Sequence, residues 1–267
     1  MMIATKKTLS WRAQVDRWAV LVFCLVVVLV SVTAVLWLPT LLGPVLVVFV
    51  PTVTAVGLIT LTAGKRQVWP QLFSRAAWHI SLKWVVITLG LALLLRLGVS
   101  LLGAVLGYPF QPGALSPLLV MAFLFAAGEE IGWRGFALPR LLAMGRSPLA
   151  AALLLGLPWA LLHLPLTLPG KLSAGTPMLA QFLLMMAMSV LMTWVYLAAG
   201  RSLTAVMLLH GGQNMFVFLN DGLSPVVSGW LMVAVYGTAA ILVILLTRSH
   251  LGVVAHPPGQ VKSVTSA

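Results

Sequence analysis

Runs of apolar residues long enough to cross a bilayer recur along the whole chain, separated by short stretches in which the basic side chains collect. At about 1.5 Å of rise per residue, some twenty apolar residues match the ~30 Å hydrocarbon core, and the pattern predicts eight helical spans. The first runs from Trp18 to Leu38 and is closed by Pro39. The second, Leu41 to Ala63, carries Pro44 and Pro51, which neighbouring helices tolerate in lipid. Trp84 to Gly107 is the third, with Arg96 near its middle. From there the starts share a signature: Ser116-Pro117, Ser147-Pro148, Thr176-Pro177 and Ser224-Pro225 mark helices four, five, six and eight. A hydroxyl N-cap satisfies an orphan amide, and proline at the first helical position wastes none. Helix seven begins at Ser202, after Gly200-Arg201, and runs to about Leu219; helix eight ends near Thr247. No internal repeat interrupts the order. The expectation is one integral membrane domain over residues 1–267, with residues 248–267 forming a short polar tail that contains Pro257-Pro258.

Composition sharpens this into a polytopic membrane protein, since 61% of the 267 residues are hydrophobic and only 7% charged. The net charge of +12 invites a nucleic-acid reading. That reading fails because the basic residues sit between hydrophobic runs, where they orient the chain in the membrane. With a cytoplasmic N-terminus, eight spans put Lys65, Arg66, Arg75, Lys83, Arg140, Arg146, Arg201, Arg248 and Lys262 on the side of Lys6, Lys7, Arg12 and Arg17. Lys171 alone falls outside, and Arg96 and Arg134 remain within the membrane. Both termini are therefore expected in the cytoplasm, and the compact chain points to a bacterial inner (plasma) membrane. The N-terminal charge resembles that of a signal peptide, but the apolar run is too long and no small-residue cleavage site follows, so it reads as an uncleaved first helix. Between Lys65 and Trp78, the stripe Val68, Trp69, Leu72 and Phe73 reads either as a segment lying on the membrane surface or as an ordinary loop. Cys24 is the only cysteine, which removes a disulfide framework and a cysteine zinc site.

Against this background the acids stand out. Of four in the chain, Glu129 and Glu130 lie together inside an apolar run, the others being Asp16 and Asp221. A charge well inside a bilayer costs roughly 2.5–3.5 kcal/mol even on insertion scales, so such residues are functional candidates by default. Neighbours on a helix point about 100° apart, so the two glutamates cannot serve one point. Glu130 and Arg134, four apart with the acid first, share a face as an ion pair that holds the site's shape. Glu129 is then the carboxylate available for chemistry. It precedes Arg146 by seventeen residues, and His163 follows Arg146 by the same interval. On neighbouring antiparallel helices the two lie at one depth, roughly 25 Å from the turn, where carboxylate and imidazole could hold and deprotonate a water. Pro158 would bend the helix beside them, and Trp159 reads as packing. His210 and Asn214, four apart, form a pair of donors suited to an oxyanion, with Gly211 and Gly212 leaving room beside them.

Glu129-Glu130-x-x-x-Arg134, an aromatic-x-x-x-His ending at His163, and His210-x-x-x-Asn214 resemble, in order, the three motifs of the CPBP intramembrane proteases. This is the CAAX prenyl endopeptidase and bacteriocin-processing family, also described as type II CAAX protease-like. The resemblance covers roughly residues 116–219, helices four to seven, as a protease core. It implies an all-α fold of eight transmembrane helices around an intramembrane polar cavity. It also implies catalysis by Glu129 and His163 on water, with His210 and Asn214 stabilising the tetrahedral intermediate and Glu130, Arg134 and Trp159 organising the site. Trp159 stands where the family pattern has phenylalanine, a change expected to affect packing and substrate shape but no reactive atom.

The implied activity is that of an endopeptidase whose partners are the lipid bilayer and a peptide or protein C-terminus, prenylated and CAAX-like, or a bacteriocin-type or other short peptide. For a bacterial chain the second class is favoured. No cofactor is preferred: a metal-free glutamate–histidine mechanism leads, and zinc on Glu129, His163 and His210, as in a metalloprotease, is the alternative. Outside proteolysis, the same residues would suit a bacteriocin immunity protein that binds without cutting, or a proton-coupled transporter.

Overall fold

The computed structural model describes residues 11–39 and 42–252, with side chains described from Trp18 onward. The expected features at Lys6, Lys7, Lys262 and Pro257-Pro258, and the side chains of Arg12, Asp16 and Arg17, lie outside the described residues.

All regular structure among the described residues is helical. Six helical runs are long and apolar enough to cross a membrane, which makes this a polytopic membrane protein. They include α1 (Trp11–Trp37), α2 (Leu42–Thr62), α5 (Leu82–Val105), α8 (Pro148–His163), α9 (Met178–Ala198) and α11 (Pro225–Thr247). The connection after α2, which carries Lys65, Arg66 and Arg75, is not an ordinary loop. It folds into short helices α3 (Val68–Leu72) and α4 (Arg75–Trp78), with Trp69 stacked on Phe73 at 5.2 Å and Phe73 on Trp78 at 5.9 Å. Leu72 is buried beneath them while Trp69 stays exposed.

The remaining two expected spans, the fourth and the seventh, are helical but interrupted. The fourth begins as α6 (Pro117–Glu130), widens into a π-helix over Ile131–Ala137, and resumes as α7 (Leu138–Ala143). Pro139 has no amide to give and its ring displaces the carbonyl one turn back, so widening the preceding turn relieves the conflict. The seventh is α10 (Leu203–Met215), which tightens into a 3-10 turn at Phe216–Asn220.

The expected caps form in part. Ser147 accepts from the amide of Ala150 at 3.3 Å and Ser224 from that of Val227 at 3.4 Å, and Ser202 does the same for α10 with Ala205 at 3.3 Å. Ser116 makes no such bond, and Pro177 precedes α9 rather than opening it.

Two features position the site. First, α6 packs mainly on α10 and α2, and α8 on α9 and α1, so the two helices that carry Glu129 and His163 each take their main support from other helices. Second, glycines let the backbones around α6 come very close. A Cβ on Gly132 would stand 2.5 Å from the Pro51 carbonyl carbon, and one on Gly211 would stand 2.6 Å from the Phe123 carbonyl oxygen. The room expected beside Gly211 is thus taken by α6. Thr52 adds a hydrogen bond to the Gly128 carbonyl at 2.5 Å.

Backbone hydrogen bonds Gly113 to Phe218 at 2.7 Å and Gly222 to Gln111 at 2.9 Å tie together the loops at one end of the bundle. At the other end, Arg140 donates to Gln71 and Thr204 to the Trp78 carbonyl, each at 2.8 Å. Arg96, buried in α5, donates its Nε–H to the Gln213 carbonyl at 2.9 Å and an Nη1–H to Asn220 at 3.3 Å, where α10 ends. Arg96 thus satisfies the C-terminal turn of α10. Tyr236 donates to the Gln213 side chain and completes this buried network.

Candidate active site

The two glutamates, adjacent in sequence, have different partners. The Glu130 side chain is fully buried; Arg134 Nη1 donates to its Oε1 at 3.1 Å and stands 3.1 Å from its Oε2. A second cation-capable group reaches the same carboxylate from α10, for His210 Nδ1 donates to Oε1 at 2.8 Å. Spacing within one helix reveals the first partner but not the second, which depends on how α10 packs against α6.

Glu129, also buried, is not free as the helical geometry suggested. Its Oε2 accepts the indole N–H of Trp159 at 2.7 Å. Trp159, read from the sequence as packing that helps organise the site, is the hub of the cluster. Its ring stands edge-on to His163 at 5.2 Å and to His210 at 5.6 Å, and the Arg134 guanidinium lies 5.0 Å from its centroid. The signal was present in the sequence: an indole four residues before a histidine, at the depth of a lone carboxylate, carries a donor that must be satisfied when buried.

His163 closes α8. Its Nδ1 lies 2.6 Å from the Trp159 carbonyl, and because a carbonyl only accepts, Nδ1 carries the proton and the Nε2 lone pair stays available. The Glu129 carboxylate is within electrostatic reach of both His163 and His210. Asn214, half-buried like His163, spends one amide N–H on the Ala122 carbonyl of α6 at 3.2 Å and retains the other.

The chain thus gathers Glu129, Glu130, Arg134, Trp159, His163 and His210 from three helical runs, with Asn214 one turn further along α10. No three His, Cys, Asp or Glu side chains among the described residues come close enough to hold a metal ion together. The zinc set Glu129, His163 and His210 therefore does not fit a metal ion as arranged. A cavity of about 350 Å³ opens elsewhere, among Gln71, Arg140, Tyr196 and Arg201, and holds none of these site residues.

No curated protein matches the chain. Residues 111–216, less than half of its length, match the family model of the type II CAAX prenyl endopeptidase Rce1-like proteins, and this stretch contains every residue of the cluster. The chain therefore carries an Rce1-like type II CAAX prenyl endopeptidase (CPBP) family domain.

Proposed function

We propose that the protein is an intramembrane endopeptidase of the CAAX type, in which Glu129 and His163 activate water and His210 with Asn214 stabilises the oxyanion. The observation that carries this reading is the convergence of the Glu129 carboxylate and two imidazoles, from three helices, on one buried tryptophan, with the Glu130 carboxylate holding His210 from behind. Buried charges inside a membrane bundle are expensive, and a packing role requires no such set.

In this reading Glu129 uses the oxygen not held by Trp159 to take a proton from water, while the His163 Nε2 lone pair orients that water. The water oxygen attacks the scissile carbonyl carbon. Negative charge then develops on the carbonyl oxygen, where the free N–H of Asn214 and the Nε2–H of His210 meet it. For His210 to donate there, both ring nitrogens must carry protons, and Glu130, facing Nδ1 at 2.8 Å, supplies the counter-charge. The proton held by Glu129 passes to the leaving amide nitrogen as the C–N bond breaks.

The bundle would span a bacterial inner membrane eight times with both termini in the cytoplasm. The interrupted runs, 117–143 and 203–220, are the crossings beyond the six continuous ones, and a polar intramembrane cavity would admit water and peptide. The family's description favours a prenylated C-terminal peptide as substrate, with bacteriocin-type and other short membrane peptides as the second class. Purified protein in lipid nanodiscs, incubated with a peptide library with and without a farnesylated cysteine and read by mass spectrometry, tests this. Cleavage confined to peptides with the lipidated cysteine is expected. Cleavage of unmodified peptides alone overturns the prenyl assignment, and no cleavage of either overturns the protease.

A further inference from the structure

We infer that Trp159 is the positioning residue of the site, aiming the Glu129 carboxylate with its side chain and the His163 imidazole with its backbone. The inference rests on the proposed hydrolytic reading of this cluster and names a residue that the reading does not require. Both halves of the acid–imidazole pair are tied to this one residue, through the indole N–H on Glu129 Oε2 at 2.7 Å and the carbonyl under His163 Nδ1 at 2.6 Å.

The ties matter because α6 and α8 make their main contacts with other helices. The separation of Glu129 from His163 is then governed less by direct packing of their helices than by a side chain that bridges them. It is set by the reach of the indole, itself only 2% exposed and wedged edge-on between the two histidines beneath Arg134. One Glu129 oxygen is occupied and the other is held in a fixed direction. Phenylalanine, which the family pattern carries here, would fill most of the volume but donate nothing. In this chain the link between acid and imidazole is a hydrogen bond, and its removal should leave the fold intact and the carboxylate mis-aimed. A misplacement of about an ångström at a reacting group can cost on the order of a hundredfold in rate.

The test replaces Trp159 with β-(3-benzothienyl)alanine, which keeps the bicyclic shape and puts sulfur where the N–H was. The expected result is a kcat lower by roughly 10–100-fold, a KM within about twofold of the parent, and an unchanged melting temperature. A merely structural tryptophan gives parental kcat with this isostere, or loses activity only in step with melting temperature, and either result overturns the inference. A second readout does not depend on cleavage. The Trp159 indole N–H proton, assigned by NMR through its loss in Trp159→Phe, should resonate downfield in the parent and move upfield in Glu129→Gln, with Asp221→Asn as the silent control. An indole resonance that Glu129→Gln leaves in place overturns the inference whether or not the parent cuts peptide. A resonance that moves, in a parent that cuts nothing, overturns the hydrolytic reading and supports the Trp159–Glu129 tie.

Discussion

His210 on α10 donates its Nδ1–H to the Glu130 carboxylate on α6 at 2.8 Å, across 80 residues of chain, and Arg134 holds the same carboxylate from one turn along its own helix. One acid thus binds two buried cation-capable groups and ties α6 to α10, leaving its neighbour Glu129 to a different set of partners.

Removing that acid should therefore cost stability as well as activity. Glu130→Gln leaves Arg134 without its counter-charge at a site where breaking one side of a buried pair costs about 3–5 kcal/mol. Adding Arg134→Met should recover part of the loss, because the unpaired guanidinium is gone. Thermal melts in detergent on the parent, the single and the double variant check this; a single variant as stable as the parent contradicts it.

The glycines of the α6 interfaces should be intolerant in a way that helix propensity does not foresee. Gly211→Ala drives a methyl against the Phe123 carbonyl oxygen at 2.6 Å and should destabilise by about 1–3 kcal/mol, with cleavage reduced as α10 is pushed off α6. Gly90→Ala, where a Cβ meets nothing within 4 Å, should be neutral or stabilise by about 0.5–1 kcal/mol. Melting temperatures for the two variants should move in opposite directions or not at all for Gly90.

Topology is open to a direct assay. In a Cys24→Ala background, a cysteine at Met144 should react only with reagent on the cytoplasmic face, and one at Ser173 only with reagent on the opposite face. Labelling of both from the same side contradicts the eight crossings.

Since Glu129, His163 and His210 are not drawn together as a metal ligand set, cleavage is expected to survive exhaustive dialysis against a chelator. Activity lost to the chelator and restored by stoichiometric zinc would mean that the side chains rearrange around a metal.

What could be read from the sequence follows the range over which each interaction acts. The helical segments and the Glu130–Arg134 pair were legible because hydropathy and i,i+4 spacing are local. The hydrogen bond from His210 to Glu130 was not, since it depends on which helices pack together. Nor was the way Glu129 and His163 meet, as an acid and an imidazole joined through Trp159 rather than the direct pair their common depth suggested. The π-helix at Ile131–Ala137 left a trace in Pro139, five residues beyond Arg134, but an ideal 3.6-residue period drawn through the motif passes over it. Asn214 was read for its spacing from His210, and its bond to the Ala122 carbonyl shows that such an amide also serves as interhelical glue.

In the proposed reaction Glu129, and not its neighbour, performs the chemistry. Glu129→Gln keeps size and hydrogen-bonding capacity, can still accept from the Trp159 indole, and removes the basicity. Single-turnover cleavage of a farnesylated peptide by this variant in nanodiscs, alongside its melting temperature, is the most direct test. The expected result is a folded protein with parental melting temperature and no detectable cleavage; cleavage at the parental rate would rule out Glu129 as the base.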